Sequence, residues 1–322
     1  MHIPDGMLDT KTFTTLWAGG GGAVAYASWW IRKHLDSSKL VLMSVLAALI
    51  FGLQMLNFPI AAGTSGHFSG GAAAGIILGF WPATLVMSAV LITQAFFFGD
   101  GGISTLGANI VNLGVVGPCL AVLVYQLGCR FSRRFSTSLA VQLVVTFLAA
   151  FLAVVSSAAV VALELWASNR VPLLTGLVAM VGWHSLIGIG EGIITAGLVA
   201  YLVKVRPSLL PGQTADSKQE PSGSLRSVIV VFAILALAAA GLSFLASSSP
   251  DGLEFVYFDS GLGSDFHEPS SLIPALMSDY QLPWVSNELL SGIAAGVIGV
   301  FISGALLFTV ATLIVRRQRA QS

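Results

Sequence analysis

The run SLAVQLVVTFLAAFLAVVSSAAVVALELW, residues 138–166, holds a single charge, Glu164, in 29 positions. About 20 apolar residues in a helix cross the hydrocarbon of a bilayer, so this stretch is long enough to span a membrane. Further apolar runs are read on both sides of it, at 12–33, 39–56, 67–80, 83–98, 105–129, 172–204, 227–247 and 289–315. The pair between Gly66 and Phe98 is short and interrupted by Trp81-Pro82. Composition agrees: 55% of the residues are hydrophobic, 9% are charged, and mean hydropathy is +0.86. Soluble domains carry about 25% charged residues. The expectation is an all-α, polytopic integral membrane protein, with about seven spans in a first unit and two more flanking an acidic extracytoplasmic loop.

Charge placement orients the spans. Thirteen of the fifteen Lys and Arg residues fall on one face if the N-terminus is outside, and only Lys11 and Arg170 fall on the other. The positive-inside rule then predicts N-out and C-in, in a cytoplasmic membrane of a bacterium or archaeon. The balance of 15 basic and 15 acidic residues offers nothing to nucleic acid; lipid is the bulk partner. The first residues lack a basic leader, and Asp5 and Asp9 intrude, so the mature chain is expected to start at Met1. Cys119 and Cys129 read as small lipid- or core-facing residues rather than as a disulfide or ligand pair.

Three parts follow from this pattern: a membrane unit over 1–205, a linker over 206–226 rich in Pro, Gly, Ser and charge, and a two-span unit over 227–322. The outside loop of the last unit, about 248–288, carries Asp251, Glu254, Asp259, Asp265, Glu268, Asp279 and Glu288 without a Lys or Arg. It is either a solvated loop or a cation-attracting lid over the first unit.

The outer end of the first unit collects the chemistry. In Met1-His2-Ile3-Pro4-Asp5-Gly6 the α-amine, the His2 amide and the His2 imidazole can offer three nitrogens at once. Amine and amide close a five-membered ring on a metal; amide and Nδ1 close a six-membered one. Such a planar nitrogen set suits Ni²⁺ or Cu²⁺ and leaves a corner for another imidazole. His67, after the glycine-rich loop Asn57–Gly66 with Ser65 in it, falls on the same side. Gln94, Asp100, Asn109 and Asn112 lie around the next outside turn, either as site residues or as interhelical glue. His184 and Glu191 are two helical turns apart and share a face, about 10 Å along the axis; an internal hydrogen-bonded network is expected of them.

Taken together, MHIPDG, Gly63-Thr-Ser-Gly-His67, Phe98-Gly-Asp-Gly-Gly102 with Leu106-Gly-Ala-Asn109, and His184-Ser-Leu-Ile-Gly-Ile-Gly-Glu191 resemble the CbiM/NikM substrate-capture subunits of energy-coupling-factor transporters for cobalt and nickel. The resemblance covers about residues 1–205, and Pro250-Asp-Gly-Leu-Glu254 is similar to the PDGLE signature of the small N-type accessory subunit, here fused. It implies a transported Ni²⁺ or Co²⁺ ion held by Met1, His2 and His67, with nickel favoured, and a transmembrane coupling subunit and ABC-type ATPases as partners. No G-x-x-x-x-G-K-[ST] phosphate loop occurs, so no ATP site or enzymatic activity is expected in the chain itself. Ser44, Ala48 and Gly52 form a small-residue stripe that serves either coupling-subunit docking or internal contact. Two rival readings exist: Gly63-Thr-Ser-Gly66 with His184 as an intramembrane serine protease pair, and Glu191 as the proton site of a secondary transporter.

Overall fold

The computed structural model describes residues 1–35, 37–61, 63–131, 138–211, 224–262 and 272–319. Within them the chain is helical. Helix α1 (Thr10–His34) starts where the Asp9 carboxylate accepts from the Thr12 amide and ends on Arg32, Lys33 and His34, each charge complementing its end of the helix dipole. After α2 (Ser37–Gln54) come a two-residue hairpin, β1 (Phe58–Pro59) and β2 (Ser65–Gly66), then α3 (Gly71–Leu78) and α4 (Phe80–Thr93). Helix α4 runs on through a wider turn at Gln94–Phe98. α5 (Leu106–Asn109) passes through a π-helical stretch, Ile110–Val116, into α6 (Gly117–Phe131). α7 (Leu139–Ala167) and α8 (Leu173–Val205) form a long hairpin whose turn uses Asn169 at φ +55° and Pro172. α9 (Leu225–Gly241), the short α10 (Gly252–Glu254) and α11 (Glu288–Arg319) complete the chain.

Five of these segments are long and apolar enough to cross a membrane: Phe80–Phe98, Leu106–Phe131, Leu139–Ala167, Leu173–Val205 and Glu288–Arg316. Lys39–Gln54 and Leu225–Gly241 are shorter apolar helices. Linker residues 212–223, Arg133, Arg134, and loop residues Asp265, His267 and Glu268 lie outside the described residues.

Three expectations change. The run at 67–80 is not a full-length helix: α3 has 8 residues, about 12 Å of rise against about 30 Å of hydrocarbon. Residues 67–70 are non-helical backbone, buried from Phe68 on, and tolerated there because protein surrounds them. The break that follows falls at Gly79 (φ +87°), not at Trp81-Pro82; Pro82 sits in the first turn of α4, where its missing N–H leaves no bond unmade. The stripe Ser44, Ala48 and Gly52 is covered within the chain itself. A Cβ on Gly52 would lie 2.7 Å from the Ala236 carbonyl of α9. One on Gly304 of α11 would lie 3.3 Å from the Ser44 carbonyl oxygen and 3.4 Å from the Ala48 methyl. Those small residues let three backbones approach, so this face is not open to a separate subunit.

Candidate metal site

The N-terminal nine residues run across one end of the bundle as an irregular strap, bonded along its length. Ile3 is gripped at both backbone groups: its N–H donates to Asn109 Oδ1 (2.8 Å), and its carbonyl accepts from Asn109 Nδ2 (3.1 Å) and the Gly102 amide (2.9 Å). Asp5 Oδ1 accepts from the amide and hydroxyl of Ser104, at 2.7 and 2.6 Å. Position 102 has to be glycine, because a Cβ there would stand 2.3 Å from the Asp5 amide nitrogen. Arg170, one of the two outlying cations of the charge count, donates to the carbonyls of Gly6 and Met7.

This strap delivers the Met1 amine beside His67, with 3.2 Å between amine and Nε2. His67 Nδ1 bonds the Phe68 carbonyl at 3.2 Å, so the proton sits on Nδ1 and the Nε2 lone pair faces the amine. The rings of His2 and His67 stack with centroids 5.3 Å apart and planes 5° off parallel. His2 Nδ1 lies 2.9 Å from Asp100 Oδ1. The nitrogen that would close a six-membered ring with its own amide is therefore engaged elsewhere, and His2 must exchange Asp100 for the metal to chelate. Among the described residues no three His, Cys, Asp or Glu side chains converge as a ready-made metal site; a nitrogen set here depends on the main-chain amine and amide.

Two residues far along the chain hold this end in place. Asp251 forms an ion pair with the Met1 amine, and its Oδ2 is 3.8 Å from His67 Nε2. Asp251 also caps α10 reciprocally with Glu254. Tyr280 donates its hydroxyl to Asp100 Oδ2 at 2.6 Å, and Gln94 Nε2 bonds Gln54 Oε1 at 2.8 Å, next to both. Asp279 and Tyr280 have φ +54° and +58°, an uncommon conformation for non-glycine residues that brings Tyr280 over Phe98. From the sequence Asp251 is legible only as one of seven loop carboxylates and as the Asp of the PDGLE stretch, and nothing marks Tyr280.

The remaining expected residues separate. Asn57 accepts from the Ser247 amide through its carbonyl (2.8 Å), and the Ser65 hydroxyl donates to the Ser249 carbonyl (2.7 Å). Both tie the hairpin loop to the segment before α10. His184 and Glu191 do not form the shared network expected of them. His184 Nδ1 bonds the Met180 carbonyl, whereas Glu191 accepts from the amides of Ser69 (2.6 Å) and Gly70 (3.1 Å). The Ser65–His184 pair of a serine protease is likewise not formed, each having another partner. Asn112 pairs with Glu164, a buried carboxylate in α7 that sequence reading passed over.

Electrostatics follow burial and these partners. Burial alone would raise Asp100, but the charge and hydrogen bond of His2 outweigh it and hold the carboxyl well below the usual range. Asp251 is likewise held low against its burial by the N-terminal charge and His67. Burial, then the N-terminal charge, lowers His67. A cavity of about 580 Å³ opens beside the pair, lined by His67, Asp100, Asp251, Glu254, Asp279 and Glu288 among others. Among the described residues no Lys or Arg lines it, and five carboxylates, with Glu254 and Glu288 from the last unit among them, favour a divalent cation there.

A helical membrane bundle with a strap-borne amine and two histidines at one end defines the class. Residues 2–209 match the CbiM family, the cobalt uptake substrate-specific transmembrane region, and residues 226–316 match the PDGLE domain. The chain belongs to the CbiM family, with a PDGLE segment following in the same polypeptide. It is 34% identical over 96% of its length to a putative fused nickel transport protein, NikMN, of Archaeoglobus fulgidus, covering 97% of that protein. It is 31% identical over 93% of its length to the fused nickel transport protein NikMN of Rhodobacter capsulatus, covering 94% of it. Among solved structures, a truncated transition metal transporter superimposes with TM-score 0.55 at 28% identity, over 63% of this chain and 98% of that one.

Proposed function

We propose that this chain is the metal-capture membrane component of an ATP-driven, energy-coupling-factor importer for Ni²⁺ or Co²⁺. The ion is held by the Met1 amine, the His2 amide and imidazole, and His67. The observation that carries this is the 3.2 Å between the buried Met1 amine and His67 Nε2. With metal–nitrogen bonds of about 2.0–2.1 Å, two cis donors in a plane sit about 2.9 Å apart, so this pair needs to close by only ~0.3 Å. Asp100 and Asp251 supply negative charge beside the ion, and each releases the nitrogen it holds, His2 Nδ1 and the Met1 amine, when the metal binds. Nickel is favoured because a planar nitrogen field with a deprotonated amide prefers it to cobalt, and the full-length relatives are named for nickel. The test is equilibrium titration of the purified full chain with Ni²⁺ and Co²⁺, beside His2→Ala and His67→Ala; equal affinities for all three would refute the reading.

The chain divides in function as it does in sequence: capture unit 1–205, linker 206–226, accessory unit 227–322. Uphill import then depends on a transmembrane coupling subunit and paired ATPases. Vesicles holding only this polypeptide are expected to hydrolyse no ATP and to accumulate no metal above equilibrium. Accumulation under a pH gradient alone would favour an ion-coupled carrier instead.

In the cytoplasmic membrane the N-terminus faces out and the C-terminus in. A single cysteine placed at 255–262 is expected to react with an impermeant maleimide in intact cells, and one after Arg319 is not. Labelling of the second site would reverse the topology.

Capture should also report the lowered pKa of His67. The neutral ring binds metal, and a lowered pKa keeps the ring neutral further into acid. The Met1 amine and the His2 amide must also give up protons to the metal, so Ni²⁺ affinity is expected to fall as pH falls from about 8, with protonation of His67 adding to the loss only below about pH 6.5, the ordinary imidazole value. His34→Gln, at the end of α1 where the ring stacks on Trp30, is expected to change nothing. An affinity that does not change between about pH 8 and pH 5 would contradict the assignment.

A further inference from the structure

His184 sits on α8, and its two ring nitrogens have different surroundings. Nδ1 bonds the Met180 carbonyl at 2.8 Å. A carbonyl only accepts, so the proton is on Nδ1 and Nε2 carries a bare lone pair. That Nε2 has no protein partner although the residue is 1% exposed. Leaving a buried acceptor unpaired is costly, so such a nitrogen calls for an explanation.

The nitrogen's residue lines a small cavity of about 10 Å³, shared with Met1, His67, Ser69 and Asp251 and closed by Ile187. That is the room of roughly one water-sized sphere, or one dehydrated ion. His67 is arranged in the same way, with Nδ1 on a backbone carbonyl and Nε2 turned to the Met1 amine. Two imidazoles with Nδ1 tied to a carbonyl and the Nε2 lone pair directed elsewhere, to the Met1 amine in His67 and to no protein partner in His184, show the outer-partner pattern of metal-ligating histidines. Gly252 completes it: a Cβ there would stand 2.9 Å from His184 Cε1 and 3.3 Å from Nε2. The glycine of the PDGLE stretch is thus what leaves the imidazole room.

We propose that His184 and His67 form an inner binding position for an imidazole-preferring divalent cation, on the bundle side of the N-terminal chelate. This rests on the function proposed above. His67 is common to both positions, so the ion passes from the amine and His2 to His184 without leaving its shared imidazole. Asp251, at the rim of the same cavity, supplies the compensating negative charge. Ions that prefer oxygen donors, such as Mg²⁺ and Ca²⁺, gain little from two imidazoles.

The inner position is tested with the outer one removed. Full-length chain carrying His2→Ala, with His34 and His267 changed to Gln, is titrated with Cu²⁺ and the bound ion examined by pulsed electron paramagnetic resonance. Two equatorial imidazoles are expected. Adding His184→Ala should leave one imidazole and weaken binding by at least the ~10-fold that loss of even an outer partner costs. Gly252→Ala, which crowds the ring but keeps every donor, should weaken it too. An unchanged imidazole count after His184→Ala, or no Cu²⁺ binding by the His2→Ala chain, overturns the proposal and leaves His184 a core residue satisfied by water. If the His2→Ala chain binds as tightly as the unaltered one, it is the function proposed above that fails instead.

Discussion

Acetylation of the Met1 amine is expected to abolish high-affinity Ni²⁺ and Co²⁺ binding, although every side chain survives. The five-membered ring needs a basic amine next to the His2 amide, and the acetyl group leaves an amide with no basic lone pair in its place. An N-terminal tag should act as strongly, since it too converts the amine to an amide. It would also meet a crowded end, because Met1 is 4% exposed and its amine already contacts His67 and Asp251. The expected loss is at least that of His2→Ala. A tag placed after Ser322 should be silent. Titration of the three proteins with Ni²⁺ decides the matter: native affinity in the N-terminally extended chain removes the amine from the ligand set and the proposed chelate with it.

Replacing Glu191 is expected to cost the most in stability. Its carboxylate is fully buried in α8 and accepts from the Ser69 and Gly70 amides, the non-helical backbone that leads into α3. Glu191→Leu would orphan two buried N–H groups at about 1–3 kcal/mol each, roughly 2–6 kcal/mol together. His67 lies two residues before Ser69, so loss of this anchor should release the imidazole as well. Glu191→Gln keeps a carbonyl acceptor and should recover part of the loss. Thermal unfolding in detergent, followed with Ni²⁺ titration of whatever remains folded, would show it. A Glu191→Leu protein as stable as the unaltered chain would mean that these amides find other partners.

Helix existence, the clustering of Lys and Arg at the ends of the apolar runs and the adjacency of the Met1 and His2 nitrogens are all legible in the sequence alone. Each rests on interactions a few residues long. Apolar runs exceed the bilayer, Lys and Arg collect at their ends, and the amine, amide and imidazole of Met1 and His2 are neighbours by covalent connection. The glycine-rich loop that leads to His67 is equally plain. The tertiary structure alone decided what surrounds those donors. Asp251 reaches the amine from 250 positions away, and Tyr280 fixes Asp100 across 180. Such pairs leave no periodicity or spacing for a sequence to display. The same holds where expectation failed. Glu191 and His184 share a helical face, yet each bonds to backbone, one across to residues 69–70 and one within its own helix, because buried amides and carbonyls need partners and two side chains two turns apart do not reach each other. The stripe at Ser44, Ala48 and Gly52 permits close approach by any helix. Only the fold determines that α9 and α11 of the same chain occupy it.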